Sequence, residues 1–115
     1  TGDLNYVQKQ YVSADEDAAM HHMGGDTSLG SDIWDLVHEF NKGETLEACL
    51  ARDADQISLA IELKTLADIG FKPPLKWLPT VLKRLQTKTG RQIAEAIAQT
   101  DWDTWWLKNY VDRQV

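Results

Sequence analysis

One short string of charged residues has the types and the spacing that could support chemistry. It runs Ala51-Arg52-Asp53-Ala54-Asp55 inside the longest stretch with helical periodicity. At about 100° per residue, Asp55 falls on the same side of this helix as the apolar Ala48 and Leu59, whereas Asp53 points to a different face. An ionised carboxylate on a buried face needs a partner. We therefore expect Asp55 to be buried and either to face a metal ion or an arginine, or to be protonated.

The histidines and the single cysteine do not form a recognisable catalytic set. His21 and His22 are neighbours on a predicted helix, so their side chains point in different directions and suit a surface or hinge pair. His38 lies one turn from Trp34 and is interpreted as a packed or half-exposed structural residue. Cys49 has no second cysteine for a disulfide and no partner histidine in a known motif, so we interpret it as a small buried residue.

Composition and charge narrow the classes of partner. The 115 residues include 12 basic and 18 acidic side chains, which give a formal net charge of −6. Proteins bind polymeric nucleic acid through clustered Lys and Arg, so the excess of acidic residues argues against binding of DNA or RNA. A small anionic ligand is compatible with the charge if a metal ion supplies positive charge. No apolar run approaches the roughly 20 residues of a membrane helix, and a lone cysteine suits a reducing compartment. We expect a cytoplasmic protein with no membrane partner.

Periodicity predicts helices along nearly the whole chain and no strand. The longest helix begins after the capping residue Thr45 and ends at Gly70. Its apolar residues do not form one stripe, which is typical of a central helix packed on several sides. We expect an all-α fold, a bundle of about six helices, with residues 1–115 as a single domain. The predicted helices cover residues 13–23, 31–42, 46–69, 75–86, 90–99 and 102–111.

Several short motifs carry a resemblance to a known family. They are Thr-Gly-Asp at 1–3, Leu-Asn-Tyr-Val at 4–7, Glu-Ala at 47–48 and Arg-Asp-Ala-Asp-Gln-Ile at 52–57. In these motifs the chain resembles the C-terminal two-thirds of an HD-domain metal-dependent phosphohydrolase, in the branch that contains bacterial 5′-deoxynucleotidases. The resemblance implies an HD-domain-like helical fold that lacks its N-terminal helices.

The resemblance also implies roles for two residues. Asp3 matches the acid of the family's Gly-Asp element near the substrate phosphate, where it would accept or relay a proton. Asp55 matches the family's distant aspartate, which binds a divalent metal ion. An oxygen ligand combined with imidazoles suits Mn, Co, Fe, Ni or Mg, so one of these is the implied cofactor. The implied substrate is a small phosphorylated molecule such as a nucleotide monophosphate, which a metal-activated water would hydrolyse.

The family's other ligands have no match in this sequence. They are a His on the first helix and a His-Asp pair followed by a Glu, and they would lie upstream of Thr1. Because Thr1 is not a methionine, we expect the sequence to be part of a longer chain. We therefore expect a fragment that is inactive alone. It would form a homo-oligomer or associate with its missing N-terminal segment, which would cover the Ala48 and Leu59 side of the long helix.

The alternative is a helical interaction or oligomerisation module without chemistry. Trp102, Trp105 and Trp106 lie close together near the C-terminus. Such aromatic clusters either pack a helix against the core of its domain or form a contact between subunits. Metal binding that depends on Asp55 would distinguish the enzyme from the module.

Overall fold

The computed structural model describes residues 4–111. Within that range the chain forms six α-helices and no strand, which confirms the all-α fold class. The helices are α1 (Glu16–Gly24), α2 (Gly30–Lys42), α3 (Leu46–Asp68), α4 (Leu78–Lys83), α5 (Lys88–Gln99) and α6 (Thr104–Trp106). Short 3-10 turns cover Gln8–Gln10 and Pro73–Lys76, and a π-helical turn, Leu107–Val111, follows α6. No helix in this part of the chain is both long and apolar enough to cross a bilayer.

The chain divides into two compact units, one up to Glu39 and one from Phe40 onward. The boundary lies within α2. The expectation of a single HD-like domain over residues 1–115 stays a prediction.

In the first unit, aromatic rings connect α1 and α2. Trp34 of α2 stacks on His38, with 5.0 Å between the ring centroids. It also contacts His21 of α1 at 5.5 Å. His38 therefore stacks on an aromatic ring of its own helix, although the residue as a whole is exposed.

In the second unit, α3 is the central element. The turn at Pro73–Lys76, α4 and α5 all pack against it. Its N-terminus is capped by Thr45, whose hydroxyl accepts the amide of Ala48 at 3.2 Å, as predicted. The main core forms where α3 meets α4, and its buried residues are Ala60, Leu63, Leu78 and Val81.

The side of α3 that stays open differs from the predicted one. Leu46, Leu50 and Ile61 lie on one side of the helix and are 66%, 43% and 49% exposed. Ala48, on the nearly opposite side that we expected to be uncovered, is buried, and Leu59 packs against the core. That expectation is wrong for both residues, and Leu59 is covered by the core that α3 forms with α4 of the same unit.

Candidate functional site

The buried acid on α3 is Asp53 rather than Asp55. Asp53 is 2% exposed, whereas Asp55 is an exposed residue. Asp53 precedes Ala60 by seven residues and Ala67 by fourteen, so all three lie on the side of α3 that packs against its neighbours. Asp55 is two residues from Asp53, which places it about 200° further around the helix. The expectation that Asp55 is buried is therefore wrong. The most buried side of α3 carries Asp53, Ala60 and Ala67, and Asp55 does not lie on that side.

Asp53 connects the middle of α3 to the start of α5. Its Oδ1 accepts the amide of Gln86 at 2.8 Å, and its Oδ2 accepts the amide and the hydroxyl of Thr87 at 2.8 and 2.6 Å. The Thr87 hydroxyl in turn accepts the amide of Gly90 at 2.9 Å and so caps the N-terminus of α5. The carboxylate is satisfied by three hydrogen bonds, close to the positive end of a helix dipole.

Gly90 leaves the space that this carboxylate occupies. A Cβ atom at position 90 would overlap Asp53 Oδ2 and would lie 3.0 Å from both Asp53 Cγ and Thr87 Oγ1. The carboxylate cannot move away without losing its hydrogen bonds. Glycine is needed here because the two helices approach closely.

The contacts of Asp53 keep it ionised. Burial on its own would raise the pKa of Asp53, but the hydrogen bonds from Thr87 and Gln86 and the nearby charge of Arg91 lower the pKa below its ordinary value of 3.8. Arg91 donates to the carbonyls of Leu85 and Gln86 at 3.2 and 3.3 Å, which holds the same loop. Asp53 is therefore a structural acid that anchors α5.

Asp55, the predicted metal ligand, has a different environment. Its side chain is exposed, and its Oδ2 accepts a hydrogen bond from the side-chain amide of Gln56 at 3.1 Å. The described contacts do not bring Asp55 into the junction between α3 and α5. Asp3, the predicted catalytic acid, lies outside the described residues. The structure therefore places one of the two predicted site residues, on the surface of the central helix.

A metal ion needs more ligands than the described residues bring together. Nowhere in residues 4–111 do three His, Cys, Asp or Glu side chains cluster in a way that could hold an ion. A catalytic site typically uses about three protein ligands and one open position. An exposed carboxylate such as Asp55 suits one ligand position of a hard divalent ion. The described residues therefore fit one position of the implied site and not the whole of it.

A second polar pair lies at the C-terminal end of α3. Lys64 Nζ donates to both carboxylate oxygens of Asp68 at 2.7 Å and to the carbonyl of Thr100 at 3.0 Å. Asp68 also accepts the amide of Trp102 at 3.1 Å. The hydrogen bond from Lys64, which outweighs burial, lowers the pKa of Asp68. The pair borders a groove of about 260 Å³, but its polar atoms are used to join α3 to the segment after α5.

Comparison with known proteins adds no further assignment. No protein-family model matches the chain, and neither the curated proteins nor the solved structures include a match to it. The resemblance to HD-domain phosphohydrolases therefore depends on the short sequence motifs alone.

Thr87 and Gly90 hold the buried carboxylate of Asp53, and neither residue type suggests a functional site by itself. A threonine three residues before a glycine, just ahead of an apolar helical pattern, is a signal for a helix N-cap. The spacing of seven residues from Asp53 to Ala60 and again to Ala67 is the signal for the buried acid.

Proposed function

We propose that the chain is part of an HD-type metal-dependent phosphohydrolase in which Asp55 binds a divalent metal ion. The substrate would be a small phosphorylated molecule such as a nucleotide monophosphate. The supporting observation is the contrast between two acids on α3. The oxygens of Asp53 are occupied by three hydrogen bonds within the fold, whereas Asp55 is exposed on a well-packed helix. Asp55 is also the acid that matches the family's metal-binding string.

In this proposal the chain contributes a hard oxygen ligand on a rigid element. The amide of Gln56 holds Asp55 Oδ2, which leaves Oδ1 for the ion. The bound ion, one of Mn, Co, Fe, Ni or Mg, would lower the pKa of a water molecule and offset charge on the phosphate. Asp3 would accept or relay a proton near the phosphate. The remaining ligands come from residues outside 4–111, because one carboxylate does not hold a catalytic ion.

A metal titration of the protein that contains this chain tests the role of Asp55. We expect Asp55→Asn to weaken Mn²⁺ binding, followed by electron paramagnetic resonance, by at least about tenfold, since loss of even an outer-shell group has such effects. Hydrolysis of nucleotide monophosphates should be lost with it. Glu95→Gln, which removes one charge from an exposed position on α5, is the matched control and should change neither. Tight Mn²⁺ binding by the Asp55→Asn protein would contradict the assignment.

The isolated chain provides a second test. With a single predicted ligand, the purified 115 residues should not hydrolyse nucleotide monophosphates when Mn²⁺ or Co²⁺ is added. Hydrolysis that Asp55→Ala abolishes would show that the chain holds a complete site. That outcome would contradict the proposed origin of the other ligands.

A non-catalytic interaction module is the second candidate, and exposed aromatic residues after α5 favour it. Trp105 and Tyr110 are each 64% exposed. Their ring planes are nearly perpendicular, at 84°, and the ring centroids are 6.2 Å apart. Large exposed aromatic side chains are enriched at protein interfaces. Association that Trp105→Ala removes without loss of helix content, in a protein that binds no metal, would favour this candidate over the enzyme.

The proposed location is the cytoplasm. The supporting feature is Cys49, which is a free thiol. Thiols persist in reducing compartments.

A further inference from the structure

A groove on the second unit lies between the C-terminal half of α3, α5 and the segment that follows α5. Its volume is about 260 Å³, and most of its lining surface is apolar. Ile61 of α3 and Ile97 of α5 contribute to it, together with Trp102 and Trp105. Ile61 and both tryptophans are exposed, so the groove presents apolar and aromatic surface to the solvent.

The charged groups of the groove differ in how far the fold already uses them. Lys64 Nζ lies 2.7 Å from both carboxylate oxygens of Asp68 and 3.0 Å from the carbonyl of Thr100, so this pair is neutral and satisfied within the fold. Asp101 is the third charged residue of the lining, and its Oδ1 lies 3.6 Å from Lys64 Nζ. Its side chain is 77% exposed. Asp101 therefore gives the groove an excess negative charge that is open to solvent.

The segment that forms much of the groove is acidic as well. Residues 92–107 provide five of the residues that line the groove, and they contain three acidic residues and neither Lys nor Arg. The three acids are Glu95, Asp101 and Asp103. A surface with one sign of charge raises the local concentration of ligands with the opposite sign. The occupant that complements this groove is therefore a cation that can also contact aromatic rings.

We infer that this groove binds an arginine side chain of a partner polypeptide. The guanidinium group pairs with the carboxylate of Asp101 and stacks on the exposed indole rings of Trp102 and Trp105. Arginine suits such a site better than lysine because its guanidinium group is planar and more weakly hydrated than an ammonium group. The volume of the groove agrees with a single side chain, since sites for whole drug-sized ligands usually measure about 300–1,000 Å³.

Nuclear magnetic resonance of the isotope-labelled chain tests this inference. The probe is a short peptide with one arginine between two glycines and with both ends blocked. The signals observed are the indole N–H groups of Trp102 and Trp105, which the variants Trp102→Leu and Trp105→Leu assign. Titration with the peptide should shift both signals. A second peptide carries citrulline, which keeps the shape of the side chain without its charge, and it should bind about fivefold more weakly.

Two pairs of variants test the residues that we assign to binding. Asp101→Asn should weaken binding of the arginine peptide about threefold, as expected for one exposed ion pair. Glu47→Gln removes the same charge from an exposed position about 21 Å from Ile61 along α3, and it should leave binding unchanged. Trp105→Leu should also weaken binding about threefold. Its control is Trp77→Leu, which removes an exposed tryptophan that does not line the groove.

Several outcomes would overturn the inference. They are equal affinities for the arginine and citrulline peptides, equal affinities for arginine and lysine peptides, and an effect of Asp101→Asn or Trp105→Leu no larger than that of its control. Indole signals that shift with the concentration of the chain when no peptide is present would assign the groove to a second copy, which would equally overturn the inference. The comparison of peptides uses the unaltered chain and therefore does not depend on the folding of any variant.

Discussion

The hydroxyl of Thr87 donates to Asp53 Oδ2 at 2.6 Å and so joins the first turn of α5 to the middle of α3. The same hydroxyl accepts the amide of Gly90, which means that one side chain both caps a helix and holds a buried acid. Removal of one partner leaves the other buried without its hydrogen bond, which costs more than the bond itself contributes. The junction is therefore sensitive to single substitutions.

Substitution of Asp53 should lower the free energy of unfolding more than substitution of Asp55. Asp53→Ala leaves the amides of Gln86 and Thr87 and the Thr87 hydroxyl without their acceptor, and we expect a loss of about 2–4 kcal/mol. Asp55→Ala changes an exposed residue and should stay within about 0.5 kcal/mol. Urea unfolding followed by circular dichroism measures both. Equal losses for the two variants would show that the buried hydrogen bonds do not stabilise the fold.

Gly90→Ala should destabilise the chain although alanine favours helices. Helix propensity alone would stabilise the variant by about 1 kcal/mol. The added Cβ overlaps the Asp53 carboxylate, however, and we expect a net loss of about 1–3 kcal/mol from overpacking. The neighbouring, exposed Thr89→Ala is the control and should have little effect in the same unfolding measurement. A more stable Gly90→Ala variant would contradict the close approach of α3 and α5.

Acid should destabilise the fold through Asp53 and Asp68. Both pKa values lie below the ordinary 3.8 in the folded chain, so the folded state binds fewer protons than the unfolded state over this window. Their stabilising effect is fully present above the ordinary pKa and is lost as the pH falls through the folded values, from about pH 5 downward. The free energy of unfolding, measured by urea unfolding at several pH values, should depend less steeply on pH in the double variant Asp53→Asn with Asp68→Asn. If stability depended on pH in the double variant as steeply as in the unaltered chain, these two carboxylates would not be the source of the acid sensitivity.

Removal of Lys64 should destabilise the end of α3. The Lys64 and Asp68 side chains are only 13% and 16% exposed, so Lys64→Met leaves a largely buried carboxylate without its cation. We expect a loss of about 1–3 kcal/mol in the free energy of unfolding. Lys108→Met, at an exposed position, should be nearly neutral. A result for Lys64→Met as small as that of its control would show that the pair adds nothing to stability.

The positions of the longer helices could be predicted because their signals are local, whereas the predicted helix at 75–86 is divided between the Pro73–Lys76 turn and α4. The predicted long helix, residues 46–69, corresponds to α3 at Leu46–Asp68, with Thr45 as its cap and Gly70 just beyond its end at a φ of +110°. Gly43 likewise follows α2 with a φ of +65°. Such backbone conformations favour glycine whatever the rest of the chain does. Helix α5 begins at Lys88, two residues before the predicted start, because Thr87 caps it.

The sequence by itself determined the all-α class, the order of the helices and the presence of two acids on different sides of the central one. Only the tertiary structure decided which of these acids is buried. Periodicity shows that Asp53 and Asp55 point in different directions, but both sides of α3 carry apolar residues. Asp53 is the buried acid because the amides of Gln86 and Thr87, 33 and 34 residues away, meet its carboxylate when α5 packs on α3. A carboxylate is buried where donors from elsewhere in the chain replace its water, and that requires the packed fold.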